Sequence, residues 1–295
     1  MIAKVSIAIL VILAIVAFYI TNQYELDRQN RSAVLSEQLK AVATALEQFK
    51  AKYGCYPPDH QSPTALSAFL KKSFPRATES GILAFQEALQ KDPAKSKVIS
   101  PSEALVLYLV FMSSDPRDPY RFATKMASDL RNTPVPSWKD ANLIRDCKLM
   151  TFYEFSEGSL EDRDGDGFPE FVQKAAHGAS LVYFDARTYT GTPVDGDEFK
   201  LSLVSQRTTS GAALPYASAY DRRKKQYTFY NPKSYQLICA GIDGQFGVDN
   251  MTGSPRGFPV LNRNAPDAPP RIPELDDNIA NFTSGKMFRT FLAQE

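Results

Sequence analysis

Three observations predict an α+β fold with an antiparallel sheet. No Gly or Pro stands between Lys4 and Lys52, so one long helix can run there unbroken. Helix start signals recur up to residue 148. From Leu149 onward, short runs rich in Tyr, Phe, Val and Leu are separated by Gly, Asp or Asn. Helices first and strands second mark an α+β chain rather than an alternating α/β one.

Composition narrows the function classes. The 295 residues, 43% hydrophobic and 23% charged, suit one large domain with or without an anchor and exclude a wholly disordered chain. Lys and Arg total 34 against 33 Asp and Glu, so no global field draws nucleic acid. A mean hydropathy of −0.29 excludes a polytopic membrane protein but leaves room for one apolar segment. Two histidines, His60 and His177, are too few for a His-rich metal centre. Cys55, Cys147 and Cys239 are far apart and form no C-x-x-C, which removes zinc-ribbon and thioredoxin readings.

The first element is a rod in two halves. Residues 5–20 (VSIAILVILAIVAFYI) form an uncharged run of sixteen, and with the first four residues they reach roughly 30 Å as a helix. No small-x-small cleavage site follows, against a signal peptide, and no polar stripe interrupts it, against an ordinary core helix. A single-pass anchor over 1–24 is therefore expected, with Ile9, Leu10, Leu13 and Val16 on its lipid or helix-packing surface. Lys4 favours a cytoplasmic N-terminus, with Arg28 and Arg31 pulling weakly the other way. Over 25–53 the helix becomes amphipathic. Leu35, Leu39, Val42, Leu46, Phe49 and Tyr53 form a stripe at alternating four- and three-residue steps, which predicts packing against the chain's own head. Gly54 suits a left-handed C-cap, and Pro57-Pro58 forbid continuation.

The head is expected over 54–295: helical at 60–148, β-rich at 149–247, with a Pro-rich surface loop at 248–285. Ser62-Pro63 caps TALSAFLKK, residues 80–91 carry a helical pattern, and Ser100-Pro-Ser-Glu103 is a capping box before the apolar ALVLYLVFM. A loop and one short helix are expected at 114–150. Expected strands are 150–155, 181–184, 199–204, 226–230 and 235–240. Arg222, Arg223, Lys224 and Lys225 form a basic run, read as a solvated turn.

With these elements in place, two passages resemble the type IV pilin and type II secretion pseudopilin family. ALEQFKAKYGCYPPD (45–59) is similar to the end of that family's long helix, and YQLICAGIDGQFG (235–247) resembles the C-terminal segment of its major, G-type members. Together with the apolar helix the match covers about a quarter of the chain. The resemblance implies a pilin-like fold: a long helix laid on an antiparallel sheet. It also implies a structural, non-enzymatic subunit whose partners are similar subunits packed through the apolar helix, together with the lipid bilayer. The location implied is the inner membrane with a periplasmic head. The family's processed leader and G-F-T-L-x-E motif do not stand in this sequence, where Val5 occupies the fifth position. Since MIAKVSIAILVILAIV resembles the family's residues directly after that Glu, the reading frame is expected to continue upstream of Met1. The alternative is an unprocessed pilin-like anchor.

Chemistry is sparse. Asp162, Asp164 and Asp166, alternating and followed by Gly167, suit a turn that aims carboxylates at a hard cation such as Ca²⁺, with Glu170 as a fourth donor. An EF-hand is disfavoured because Gln173 stands where its bidentate Glu belongs. The competing reading is a plain Asp/Gly turn. Asp243, Asp249, Asp276 and Asp277 form a second acidic set, which the resemblance likens to the calcium loop of G-type pseudopilins. No nucleophile elbow, zinc-protease motif or P-loop occurs, so neither an enzyme nor a small-molecule substrate is expected. A Cys55–His60 nucleophile pair is the residual enzymatic option. A head outside the cytoplasm favours one disulfide, with Cys147–Cys239 preferred because both border expected strands. The functional alternative is a membrane-anchored, extracytoplasmic, calcium-dependent binding or adhesion module.

Overall fold

The computed structural model describes residues 2–60, 62–89, 99–129, 137–156, 158–165, 167–190, 206–208, 211–221, 226–246, 278–283 and 286–287, with the side chains of residues 2–10 outside that set. The chain is a mixed fold of helices and antiparallel sheets. Helix α1 runs unbroken over Ile2–Tyr53, about 78 Å at 1.5 Å per residue. It stops where Gly54 takes φ +77° and its N–H closes the last turn on Lys50 O at 2.7 Å.

The second half of α1 is the backbone of the core. Leu35, Val42, Leu46 and Phe49 are fully buried and Leu39 nearly so, while Tyr53 packs half-buried at the end of the row. Each such apolar side chain contributes about 1.5–3 kcal/mol when removed from water. Helices α2 (Pro63–Ser73), α3 (Glu79–Leu89) and α5 (Arg121–Asp129) flank this core, as does the short α6 (Ala141–Asp146). Helix α4 (Pro101–Val110) is buried along almost its whole length. Ser62 caps α2, and Ser100 with Glu103 completes a reciprocal capping box on α4, so both starts follow from local chemistry.

The sheets meet at one run of chain. Strands β3 (Leu160–Glu161), β4 (Glu170–Gln173) and β5 (Ala179–Ser180) form an antiparallel meander. Strand β6 (Val182–Asp185) pairs with β11 (Tyr235–Cys239), and β11 with β12 (Ile279–Ala280). Only Leu181 separates β5 from β6, and its N–H donates to Phe171 O at 3.0 Å. The two three-stranded sheets are thus joined through residues 179–185, with α1 and α4 packed on them. Antiparallel pairs β1 (Met112–Ser113) with β2 (Leu149–Met150), β7 (Gln206–Thr208) with β8 (Gly211–Ala213), and β9 (Ala217–Asp221) with β10 (Gln226–Phe229) complete the described strands. Helix α7 (Ala186–Tyr189) follows β6 directly.

Several expectations need correction, and others fall outside the described residues. Residues 114–150 hold two α-helices, α5 and α6, where one short helix is expected. A strand over 150–155 does not form beyond Met150. Phe152 instead donates its N–H to Leu109 O in α4 at 2.7 Å, which takes its donor out of any strand ladder. Strand β4 was not expected at all. The expected strand 199–204, the basic run 222–225 and residues 248–277 of the Pro-rich loop lie outside the described residues, whereas residues 278–283 of that expected surface loop are largely buried, with β12 paired to β11.

Candidate functional site: an apolar rod and its junction with the head

Helix α1 changes character along its length. From residue 11 to residue 20 every side chain is exposed, and the large ones are apolar: Ile15 is 62%, Phe18 74% and Ile20 61% accessible. Leu13 and Val16 belong to this surface, and Tyr24 and Leu26 extend it. An apolar surface on all sides of a helix is unsuited to water and suits lipid or other helices. Ile9 and Leu10 are in the helix, but their side chains lie outside the described residues. Among the described residues no helix is long and apolar enough to cross a membrane. The apolar run 5–20 begins within the segment whose side chains are not described.

Below the apolar half, Arg31 fastens the rod to two loops. Its Nε and Nη2 donate to Ala175 O at 2.9 and 2.6 Å, and Nη2 also donates to Ile242 O at 2.7 Å. These loops, the 3₁₀ turn Lys174–Ala176 and the turn at residues 241–244, press together so closely that a Cβ on Gly244 would stand 2.7 Å from Ala176 O. Gly244 also has φ +72°, so glycine is required there twice over. Further along, Gln173 Nε2 donates to Gln38 Oε1 at 3.2 Å, another bond between rod and head.

The passage after α1 is fastened by buried polar groups. Tyr183 donates its hydroxyl to Pro57 O at 2.6 Å. Asp59 is buried, and its carboxylate accepts from Asp185 N at 3.0 Å and Thr188 Oγ1 at 2.8 Å. Asp185, also buried, holds Arg187 through Nε at 2.7 Å and Nη2 at 2.6 Å, and Arg187 Nη2 reaches back to Tyr56 O at 2.9 Å. Burial raises the Asp185 carboxyl above its ordinary range, and the Arg187 guanidinium offsets part of that rise.

His60 sits beside this junction with φ +62°, buried, its Nε2 2.8 Å from Tyr108 Oη and its Nδ1 without a partner. Burial pushes its pKa down to about 3. In the unfolded chain the group titrates near 6.5, so below that pH the unfolded state takes a proton that the folded state refuses. The stability His60 protects is fully present above pH 6.5 and is lost as pH falls from 6.5 toward 3, by about 1.4 kcal/mol per pH unit. Denaturant unfolding at pH 6.5 and 4.5 should show this slope, flattened in His60→Asn, which tolerates the left-handed backbone.

Cys55 does not join His60 in a dyad. Its Sγ stands 3.2 Å from Ser73 Oγ and 3.9 Å from Tyr53 O, while the His60 ring is committed to Tyr108. The Cys147–Cys239 disulfide does not form, and none of Cys55, Cys147 and Cys239 is in a disulfide. Cys147 caps α6 in the helical part, whereas Cys239 lies in β11 between β6 and β12. Flanking an expected strand did not make them neighbours.

The first acidic loop spends its carboxylates on itself. Asp162 Oδ1 accepts from Gly165 N and Oδ2 from Gly167 N, both at 2.9 Å, and Glu170 accepts from Ser180 Oγ on the neighbouring strand β5. Asp243 accepts from Gln245 N at 2.8 Å in the turn after β11. Asp164 is exposed beside Gly165. Among the described residues no three His, Cys, Asp or Glu side chains gather to hold a metal ion. Asp166, Asp249, Asp276 and Asp277 lie outside the described residues.

Arg31, Asp59, Asp185 and Arg187 were missed as a group by sequence reasoning, because the bonds that tie them to the rest of the head reach far along the chain. One local signal existed: Asp59 directly follows the Pro-Pro stop of α1. Comparison of the chain with protein-family models, with curated proteins and with solved structures finds no match.

Proposed function

We propose that the chain is a pseudopilin-like structural subunit of a type II secretion or type IV pilus-like assembly. In this reading the apolar half of α1 anchors it single-pass in the inner membrane, N-terminus cytoplasmic and head periplasmic, and packs against the same helix of neighbouring subunits. The observation that carries the reading is the division of α1 into an exposed apolar half and a half buried in its own head. A second observation supports it. The two passages that resemble the pilin family pack on each other, with the Tyr56 and Tyr235 rings 4.8 Å apart. No catalytic chemistry enters this role, and calcium in the acidic loops is at most an accessory to it.

Thiol cross-linking in the membranes of the native host tests assembly. Val16→Cys, in a Cys55→Ser background, should give a ladder of cross-linked multimers. Adding Leu13→Lys should erase the ladder while the head's denaturation midpoint stays put. Monomers alone in the Val16→Cys protein would defeat the reading.

A further inference from the structure

The end of α1 borders a cleft of about 270 Å³ between the α2–α3 turn, the loop after β1 and strand β2. Its charged lining residues are Lys52 and Arg76, and no carboxylate lines it. The Lys52 ammonium donates to Met150 Sδ at 2.7 Å, a thioether and hence a weak acceptor. Arg76 is exposed on the turn before α3 and makes no ion pair among the described residues. Two cations therefore face one concavity without a counter-charge, and an anion placed between them relieves their repulsion.

The remaining walls are mostly apolar, with Ser73, Ser113 and Ser114 among them. Tyr53 and Phe74 present rings 4.9 Å apart, and Pro116, Pro119 and Met150 close the other side. These walls are held by backbone hydrogen bonds of the lining residues themselves. Ser113 N donates to Pro119 O at 2.8 Å, Ser114 N to Lys148 O at 3.0 Å, and Ala77 N to Phe74 O at 3.0 Å, so little ordering accompanies binding. A neighbouring cleft of about 260 Å³ makes the contrast. It is lined by Lys50, Arg187 and Lys233, but there Asp185 neutralises the guanidinium and the Lys50 ammonium bonds the Tyr56 hydroxyl, which donates to Glu47. Lys233 is left as a single cation, and no pair remains there to hold an anion between them.

We propose that the cleft between Lys52 and Arg76 binds a small organic carboxylate with an apolar body, the carboxylate bridging the two cations and the body lying against Tyr53 and Phe74. Charge-assisted bonds to a carboxylate explain the paired cations, and the ring-lined wall explains why an inorganic anion alone leaves the site unfilled. The ligand is a bound anion and not a substrate, because no His or carboxylate lines the cleft to activate its serines.

The test titrates the full chain in nonionic micelles with a fluorinated phenylpropionate, read by ¹⁹F line broadening against a micelle-only blank. Saturable binding is expected with Kd below about 1 mM, and the corresponding neutral amide should bind about tenfold more weakly. Arg76→Gln, an exposed turn substitution that leaves the core untouched, should cost about tenfold, and Lys52→Gln a similar factor. Lys233→Gln in the neighbouring cleft should change nothing. The proposal is overturned if the amide binds as well as the acid, if inorganic phosphate competes as strongly as the carboxylate does, or if Arg76→Gln leaves affinity intact.

Discussion

Replacing Phe49 by alanine should lower the head's unfolding free energy by about 3–5 kcal/mol, the range for deleting a fully buried aromatic ring. The ring is inaccessible and touches four aromatic neighbours: Tyr53 at 4.6 Å, Phe152 at 5.2 Å, Tyr108 at 5.9 Å and Phe69 at 6.1 Å between centroids. These partners come from α1, from the passage after β2, from α4 and from α2. No one of them can relax into the hole without leaving another, so most of the cavity stays open. Leu13→Ala, on the exposed half of the same helix, is the contrast and should stay within about 0.5 kcal/mol. Denaturant midpoints of the two variants in the same micelles decide it. Equal, small shifts would mean that the lower half of α1 does not hold the core.

A second large effect is expected at Arg187. Arg187→Met keeps the apolar stem but removes the guanidinium from a carboxylate whose side chain is 2% accessible. Breaking a buried pair from one side costs about 3–5 kcal/mol, and the partial exposure of Arg187 places this case near the lower end. Tyr56 O loses a donor as well, so the passage after α1 loosens. The loss should carry a pH signature. Without its partner Asp185 rises further above its ordinary range, so the folded state binds the extra proton. Stability then falls as pH rises from about 4 through the elevated folded pKa. The variant should be closer to the wild type at pH 5 than at pH 8, and Asp185→Asn in the same chain should recover part of the difference. A pH-independent loss would mean that packing of the stem, and not the pair, is what matters.

These two sites show how far the sequence could be read. Phe49 belongs to a stripe visible as a periodicity, since a helix repeats its face every three or four residues and burial leaves an apolar record on it. The caps at Ser62 and Ser100 were legible for the same reason: donor and acceptor lie within one turn. The β11 run was legible from its apolar composition. Arg187 was not, because an Asp-x-Arg pair is indistinguishable from a solvated one until burial is known, and its other partner, Tyr56 O, lies 131 positions away. Arg31 looked like a charge flanking an apolar run, yet it bonds carbonyls 144 and 211 positions away. Strand β4 escaped because it is four residues long and sits between an Asp/Gly turn and a 3₁₀ turn. The 151–155 run misled because aromatic residues that suit a strand equally suit an irregular passage wrapped over a core. For the acidic loop, type and spacing of carboxylates were plain, but whether Asp162 faces a cation or its own backbone depends on the turn, and here both oxygens accept backbone N–H groups.

In the proposed role the exposed apolar half of α1 enters a bilayer while the buried half holds the head. Flotation of the full chain with phospholipid vesicles, followed by high-salt and alkaline carbonate washes, puts this to the test. The chain should float and resist both washes. Ile12→Lys combined with Val16→Lys puts two charges into the apolar centre at about 2.5–3.5 kcal/mol each. That variant should remain at the bottom of the gradient with the head's denaturation midpoint unchanged. A wild-type chain that washes off the vesicles, or a doubly charged variant that floats as well as the wild type, would contradict the claim.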